Sequence, residues 1–173
     1  MNGIAAAAGI SPGSLYQFFP SKPAVADALV ERYVRDMHAM HERAFESRDE
    51  ERPLEHRIGG IIDVIVEFQK ANPAANALLA GANVSAELAL ATEALQREMC
   101  GRVEPLIASV APGLSRRQRT LGAEVSIQIV RALMPMVLSA SQTAQRAAVK
   151  ELKRALVSYL TTLGTETRRQ PAP

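Results

Sequence analysis

Residues 9–22, GISPGSLYQFFPSK, constrain the fold more than any other stretch of this chain. They have the pattern of the turn and second helix of a helix-turn-helix. Gly9 supplies the backbone freedom for a sharp exit from a short first helix whose last turns are residues 5–8. Ser11 then serves as N-cap, and Pro12 takes the first helical position, where its missing N–H costs nothing. Leu15 and Phe19 lie four apart, so they share a face and can anchor the short helix to a core. Gly13, Ser14, Tyr16 and Gln17 are left on or near the outward side. Such residues suit a DNA groove: small ones let the backbone approach, Ser and Tyr bond phosphates, and Gln can read a base edge.

No run of β-branched residues alternates with a period of two, and the apolar positions recur at helical spacing, so the chain reads as all-α. With 173 residues it has room for one or two domains with a sizeable core. Cys100 is the only cysteine, which rules out a disulfide within the chain and fits a reducing cytoplasm. The longest apolar stretch, residues 127–140, is interrupted by Gln128 and Arg131 and is short for a bilayer span, so no membrane association is expected.

The run AAAAGISPGSLYQFFPSKPAVADAL resembles the DNA-binding signature of the tetracycline-repressor (TetR) family of bacterial transcription regulators. The Ala-Gly-Ile-Ser turn, Leu15-Tyr16, Phe19 and Lys22 carry the resemblance, which covers about the first 30 residues. It implies a twofold dimer on a palindromic operator, released by a small-molecule effector. Ser11, Ser14, Tyr16 and Lys22 match positions that mostly hold the DNA backbone, and Gly13 and Gln17 match positions that touch bases. Phe18 stands where the family often has His, so packing is expected there rather than a polar contact. In the family a further basic helix precedes the motif; Met1 falls inside the motif's own first helix, so an N-terminally incomplete head is expected. Charge agrees: residues 1–48 carry five basic and five acidic side chains, without the basic excess usual where phosphate neutralisation drives affinity.

Beyond the motif, Ser21 caps a third helix whose residues Val25, Leu29, Tyr33, Met37 and Met40 trace one face, to about Phe45. By the resemblance, this helix links the DNA head to a ligand domain. His38 and His41 lie three apart beside Glu42, but no further ligand cluster joins them, so a solvated face is expected and no metal. The charged run 47–52 reads as a linker, which divides the chain into a head at 1–46 and a ligand-binding and dimerisation domain at 47–173. Pro53 opens a helix with Leu54, Ile58, Ile61, Ile62, Ile65 and Phe68 inward. Its Gly59-Gly60 pair serves either close helix packing or room for a ligand. Asn72-Pro73 ends that helix, and a short one over 73–80 follows.

The seam Leu88, Thr92, Leu95, Met99, Val103, Leu106, Val110 defines a long helix kinked at Pro105. Ser115 and Gln118 form a capping box for the next. That helix is apolar nearly all round, with Val125, Ile129, Leu133 and Met136 on one face and Ile127, Val130, Met134 and Leu138 on another. A helix of this kind is buried on both sides, and in so small a domain one side is expected to meet a second copy of the chain. The last helix, about 144–163, offers Ala148, Leu152, Leu156, Tyr159 and Leu163 as a second stripe, so a four-helix dimer interface through the last two helices is expected. The tail from Thr165 reads as disordered.

Candidate ligand contacts are Phe68, Met99, Gln128, Arg131 and Met134, and their character favours a mainly apolar effector. Arg131, a charge within an apolar stretch, would pair with an anionic ligand, with Glu98 or with Glu124, or lie on a solvated face. There is no Gly-rich phosphate loop and no defensible nucleophile–base pair, so no catalytic activity and no cofactor are expected. The expectation is a ligand-responsive DNA-binding repressor; the alternative is a dimeric ligand- or protein-binding module without DNA affinity.

Overall fold

Seven helices and no strand make up the described residues, which are 1–46, 51–73 and 86–169 of the computed structural model. They are α1 (Asn2–Ala7), α2 (Pro12–Phe18), α3 (Lys22–Ala44), α4 (Leu54–Ala71), α5 (Ala86–Val110), α6 (Arg116–Ser139) and α7 (Gln142–Arg169). The boundaries follow the capping chemistry in the sequence. Gly9 leaves α1 with φ +68, a left-handed conformation that other residues adopt at a cost. The Ser11 hydroxyl accepts from Ser14 N at 3.0 Å to start α2, and the Ser21 hydroxyl accepts from Ala24 N at 3.3 Å to start α3. Ser115 and Gln118 form both halves of a capping box at the start of α6. Asn72 closes α4, its side-chain amide donating to Phe68 O at 2.9 Å. Pro105 and Pro135 lie inside α5 and α6 without ending them.

The main core lies where α4, α5 and α6 pack around α7, with Ile62, Ile107, Val137, Leu152 and Leu160 almost wholly buried. The C-terminal half of α3 joins it through Tyr33 and Met40. Polar ties cross the same joints: Lys153 Nζ to Asp63 at 2.7 Å, Arg57 to the Ser109 hydroxyl at 3.0 Å, and the Thr120 hydroxyl to Glu104 at 2.8 Å. Ala5 and Leu15 are buried apart from this core, where α1 meets α2.

Several sequence expectations change. Leu29, placed on the inward face of α3, is 47% exposed, because the main core begins only at Tyr33. The α7 stripe assigned to a dimer partner is instead turned into the chain's own core: Leu152 is fully buried and Leu156 nearly so. The helix continues to Arg169, so residues 165–169 are helical rather than a disordered tail, and 170–173 lie outside the described residues. So do 47–50 of the linker, residues 74–80 of the expected short helix, and the side chains of Leu88 and Thr92. At 24 residues, α6 is long and apolar enough by length and composition to cross a membrane, contrary to the reading from the shorter apolar run; here it packs against α5 and α7.

Neither reading of Gly59-Gly60 finds support. A Cβ on Gly59 would only touch the end of Lys153, at 3.9 Å, one on Gly60 would meet nothing, and neither glycine lines the cavity described below. The close approaches are elsewhere. A Cβ on Gly164 would sit 2.6 Å from the Val110 carbonyl oxygen, and one on Gly122 would press on Ile107 and Leu163 at 3.1 and 3.2 Å. Gly164→Ala therefore forces α7 off α5 and is expected to cost about 1–3 kcal/mol. Gly60→Ala, in open space within a helix, is expected to add about 0.5–1 kcal/mol. Thermal melts of the two variants should move in opposite directions from the parent.

Candidate nucleic-acid interface and ligand cavity

Helix α2 presents its expected outward face. Gly13, Tyr16, Gln17 and Lys22 are exposed, with Tyr16 at 50%. The Ser11 and Ser14 hydroxyls are 2.9 Å apart and hydrogen-bonded to each other at the helix start. A Cβ on Gly13 would approach nothing closer than the Ser11 hydroxyl at 3.8 Å, so the fold itself does not require glycine there. Its smallness leaves space on the outside of the helix, where a phosphate or base edge can come close. Lys22 is the only lysine or arginine among residues 1–29. Leu15 anchors α2, whereas Phe19 has already left the helix in an extended conformation and is half-buried. Phe18 corrects an expectation: it is 75% exposed and packs into no core, because the last turn of α2 has no helix beside it on that side among the described residues.

A cavity of about 690 Å³ opens inside the helical domain between α3, α4, α5 and α6, with Leu156 and Leu160 of α7 at its base. That volume falls within the range of about 300–1,000 Å³ typical of small-molecule sites. Its wall is largely methionine, isoleucine, leucine and valine, with Tyr33, His41, Gln69, Gln96, Ser126 and Arg131 as polar points. Three of the five residues singled out in the sequence line it: Met99, Arg131 and Met134. Phe68 does not. It is buried behind the wall and stacks on Tyr33 with ring centroids 5.5 Å apart. Gln128 is also absent, because it lies on the outer face of α6 in a shallow groove with Leu121, Val125 and Ile129. Arg131 is exposed at the cavity edge and donates to the Gln96 side chain at 3.4 Å. Among the described residues it forms no ion pair with Glu98, which is held by His38 and Arg102, or with Glu124.

His38 and His41 do not form a solvated face. His38 Nδ1 meets Glu98 Oε2 at 2.5 Å, and Arg102 grips the other Glu98 oxygen through Nε and Nη2 at 3.0 and 2.9 Å. Burial works against the Glu98 charge, but the Arg102 hydrogen bond and the neighbouring cations outweigh it and hold the carboxyl below its usual range. This cluster ties α3 to α5. His41 is 2% exposed, and burial lowers its pKa to about 4, the attraction of Glu98 being too weak to offset it. Burial acts the other way on the Tyr33 hydroxyl, raising its pKa against a hydrogen bond from the Gln69 side chain. The Cys100 thiol is raised by burial and by Glu124 and Glu104, which leaves it unreactive near neutrality. No group of three or more metal-ligating side chains occurs among the described residues.

The sequence reading missed His41 and Gln69, although a signal was present. His41 is four after Met37 and eight after Tyr33, and Gln69 continues Ile58, Ile62 and Ile65 at helical spacing. A polar residue in register with an apolar stripe is turned toward whatever the stripe encloses.

The lowered His41 pKa sets a pH dependence. Between about 4 and 6.5 the unfolded chain holds a proton there that the folded chain does not, so the contribution is intact above 6.5 and is lost as pH falls toward 4. At about 1.4 kcal/mol per unit, it reaches about 3 kcal/mol at most. His41→Gln removes the titration. The stability gap between parent and variant, from urea unfolding, should therefore shift against the parent between pH 7 and pH 4.5.

Comparison with known proteins finds family matches at both ends of the chain. Residues 1–29 match the family described as bacterial regulatory proteins, tetR family. Residues 53–160 match the tetracyclin repressor-like C-terminal domain. The nucleoid occlusion factor SlmA of Actinobacillus pleuropneumoniae serotype 5b is 31% identical over 78 residues, 45% of this chain and 37% of that protein. SlmA of Haemophilus ducreyi matches at the same identity and coverage. The matched stretch thus spans little more than a third of the length of these curated relatives.

Proposed function

This chain belongs to the TetR family of bacterial regulatory proteins, and on that premise we propose that it is a DNA-binding transcriptional repressor whose grip on a palindromic operator is relaxed by a small, mainly apolar effector. The observation that carries the reading is the exposed face of α2 and the start of α3, where Gly13, Tyr16, Gln17 and Lys22 stand free of the fold's own packing needs. Gln17 and Gly13 meet base edges, while Ser11, Ser14, Tyr16 and Lys22 hold the phosphate backbone. A twofold dimer sets two such faces roughly 34–36 Å apart, one turn of B-DNA.

The dimer forms through α6 and α7. On α6, Leu121 is 58% and Met136 48% exposed, and Val125, Gln128 and Ala132 fall on the same face. Gln128 is in the middle of this apolar face and serves the interface rather than the ligand. On α7 the surface offered is the one opposite its buried stripe, where Ala147, Ala155 and Ser158 are exposed and small enough for close helix approach. The division into a head at 1–46 and an effector and dimerisation domain at 47–173 fits this scheme, with α3 belonging to both. The effector occupies the cavity against α3 and favours one spacing of the two heads. It acts only to the extent that it binds the two spacings unequally.

The test is fluorescence anisotropy of the protein with the DNA upstream of its own gene across a salt series. Specific binding with a steep negative salt slope is expected. Lys22→Ala should weaken binding to all sequences alike and reduce the slope by about one, whereas Gln17→Ala should cost about 1–3 kcal/mol at its own base pair and relax specificity there. Absence of specific binding would leave the alternative, a dimeric ligand- or protein-binding module; the single cation among residues 1–29 is the observation on its side. For the interface, Leu121→Glu combined with Met136→Glu should convert the protein from dimer to monomer in sedimentation velocity while leaving its helical circular dichroism unchanged. Persistence of the dimer would exclude this face.

A further inference from the structure

Nδ1 of His41 and Oε1 of Gln69 are buried and have no hydrogen-bond partner among the described residues, and both side chains line the cavity. Buried polar atoms in folded proteins are nearly always paired, so two orphans on one cavity wall mark points that a bound molecule can satisfy. They are not neighbours. The Gln69 side chain hydrogen-bonds Tyr33, and with Oε1 unpaired this bond is made by its N–H. His41 follows Tyr33 by eight residues on the same helix, which separates the two positions by about 12 Å along α3 at 1.5 Å per residue, with Gln69 at the Tyr33 level. Between them the wall is apolar, built from Met37, Met40, Ile62 and Ile65. Neither end offers an unpaired charge: burial keeps His41 neutral near pH 7, the Arg102 guanidinium near it is bound to Glu98, and Gln69 is an amide. Among the described residues of the wall, the one guanidinium, Arg131, is exposed and engaged with Gln96.

We infer that the effector is an uncharged, elongated molecule with an apolar body and a hydrogen-bonding group at each end, one held by His41 and the other by Gln69. The inference rests on the reading of this cavity as the effector site. A neutral imidazole has one donor and one acceptor nitrogen, and the Gln69 oxygen accepts, so a hydroxyl or amide group suits both ends. A carboxylate at the Gln69 end would face an acceptor, and at either end it would lose its hydration without meeting an opposite charge. Such a molecule spans the part of α3 that is built into the core, the same helix that begins at Lys22 in the DNA-binding face.

The experiment is isothermal titration of the full chain, without DNA, with three probes of equal carbon number: 1,8-octanediol, 1-octanol and octanoate. The diol is expected to bind about five- to tenfold more tightly than the alkanol, the gain of one satisfied neutral hydrogen bond, and octanoate most weakly. Gln69→Met and His41→Phe should each abolish the advantage of the diol while leaving the affinity for 1-octanol within about twofold, in line with their apolar replacement of one anchor. An alkanol that equals the diol, octanoate as the tightest probe, or no binding of any probe would overturn the inference from the parent protein alone, whether or not the variants fold. A diol advantage that survives in both folded variants would overturn it as well. Failure here with intact operator binding removes this inference and leaves the regulator reading; the expected ranking without operator binding supports it while removing that reading.

Discussion

The burial of one side of α7 is the constraint on which the rest of the molecule depends. Leu152, Leu156 and Leu160 follow one another at intervals of four and are almost fully enclosed, so α4, α5 and α6 must each pack against the same stripe. At Gly164 the helices approach so closely that a Cβ would meet the Val110 carbonyl, and at Gly122 one would press on the ends of Ile107 and Leu163. With α7 filling the centre at that end, α6 cannot bury both of its apolar faces inside one chain. One face closes over the cavity through Ile127, Val130 and Met134, and the other, through Leu121 and Met136, is left on the surface.

The cavity and the uncovered face are therefore two results of the same packing. A void this size among methionines and isoleucines forfeits the dispersion contacts a filled core would have, and a ligand restores them. An exposed apolar stripe has the corresponding deficit toward water. In the proposed function both are met by partners, a small molecule in one case and a second copy of the chain in the other.

Helix α3 connects these features to the DNA-binding face. Over 23 residues it carries Lys22 at one end and Tyr33, Met40 and His41 inside the main core at the other. The Glu98 cluster, with His38 and Arg102, fixes its core half to α5. Its first half is much less restrained: Val25 is half-buried and Leu29 is exposed. In the proposed function, a displacement of the core half would reach the head through this continuous helix.

Much of this was legible in the sequence where local chemistry decides. Ser11, Ser21 and Ser115 announce the starts of three helices, and Gly9 and Asn72-Pro73 announce two ends, because caps and turns depend on residues within four positions of each other. The outward set on α2 was legible for the same reason. The seams of α4 and α5 were legible because a stripe must be buried somewhere. What the sequence could not determine was which neighbour buries each stripe. Leu152 and Leu156 fit an interface between chains as well as a core until the distances between helices are fixed. Phe68 and Gln128 share a plausible chemistry with true cavity residues, yet one lies behind the wall and the other on the far side of α6. The helical register of His41 and Gln69 was in the sequence, but that their buried atoms lack partners was not, because an unpaired polar atom is defined by everything around it. Local capping and periodicity were determined by the sequence alone; the partition of apolar faces among core, cavity and surface was decided by tertiary packing, which depends on all the helices at once.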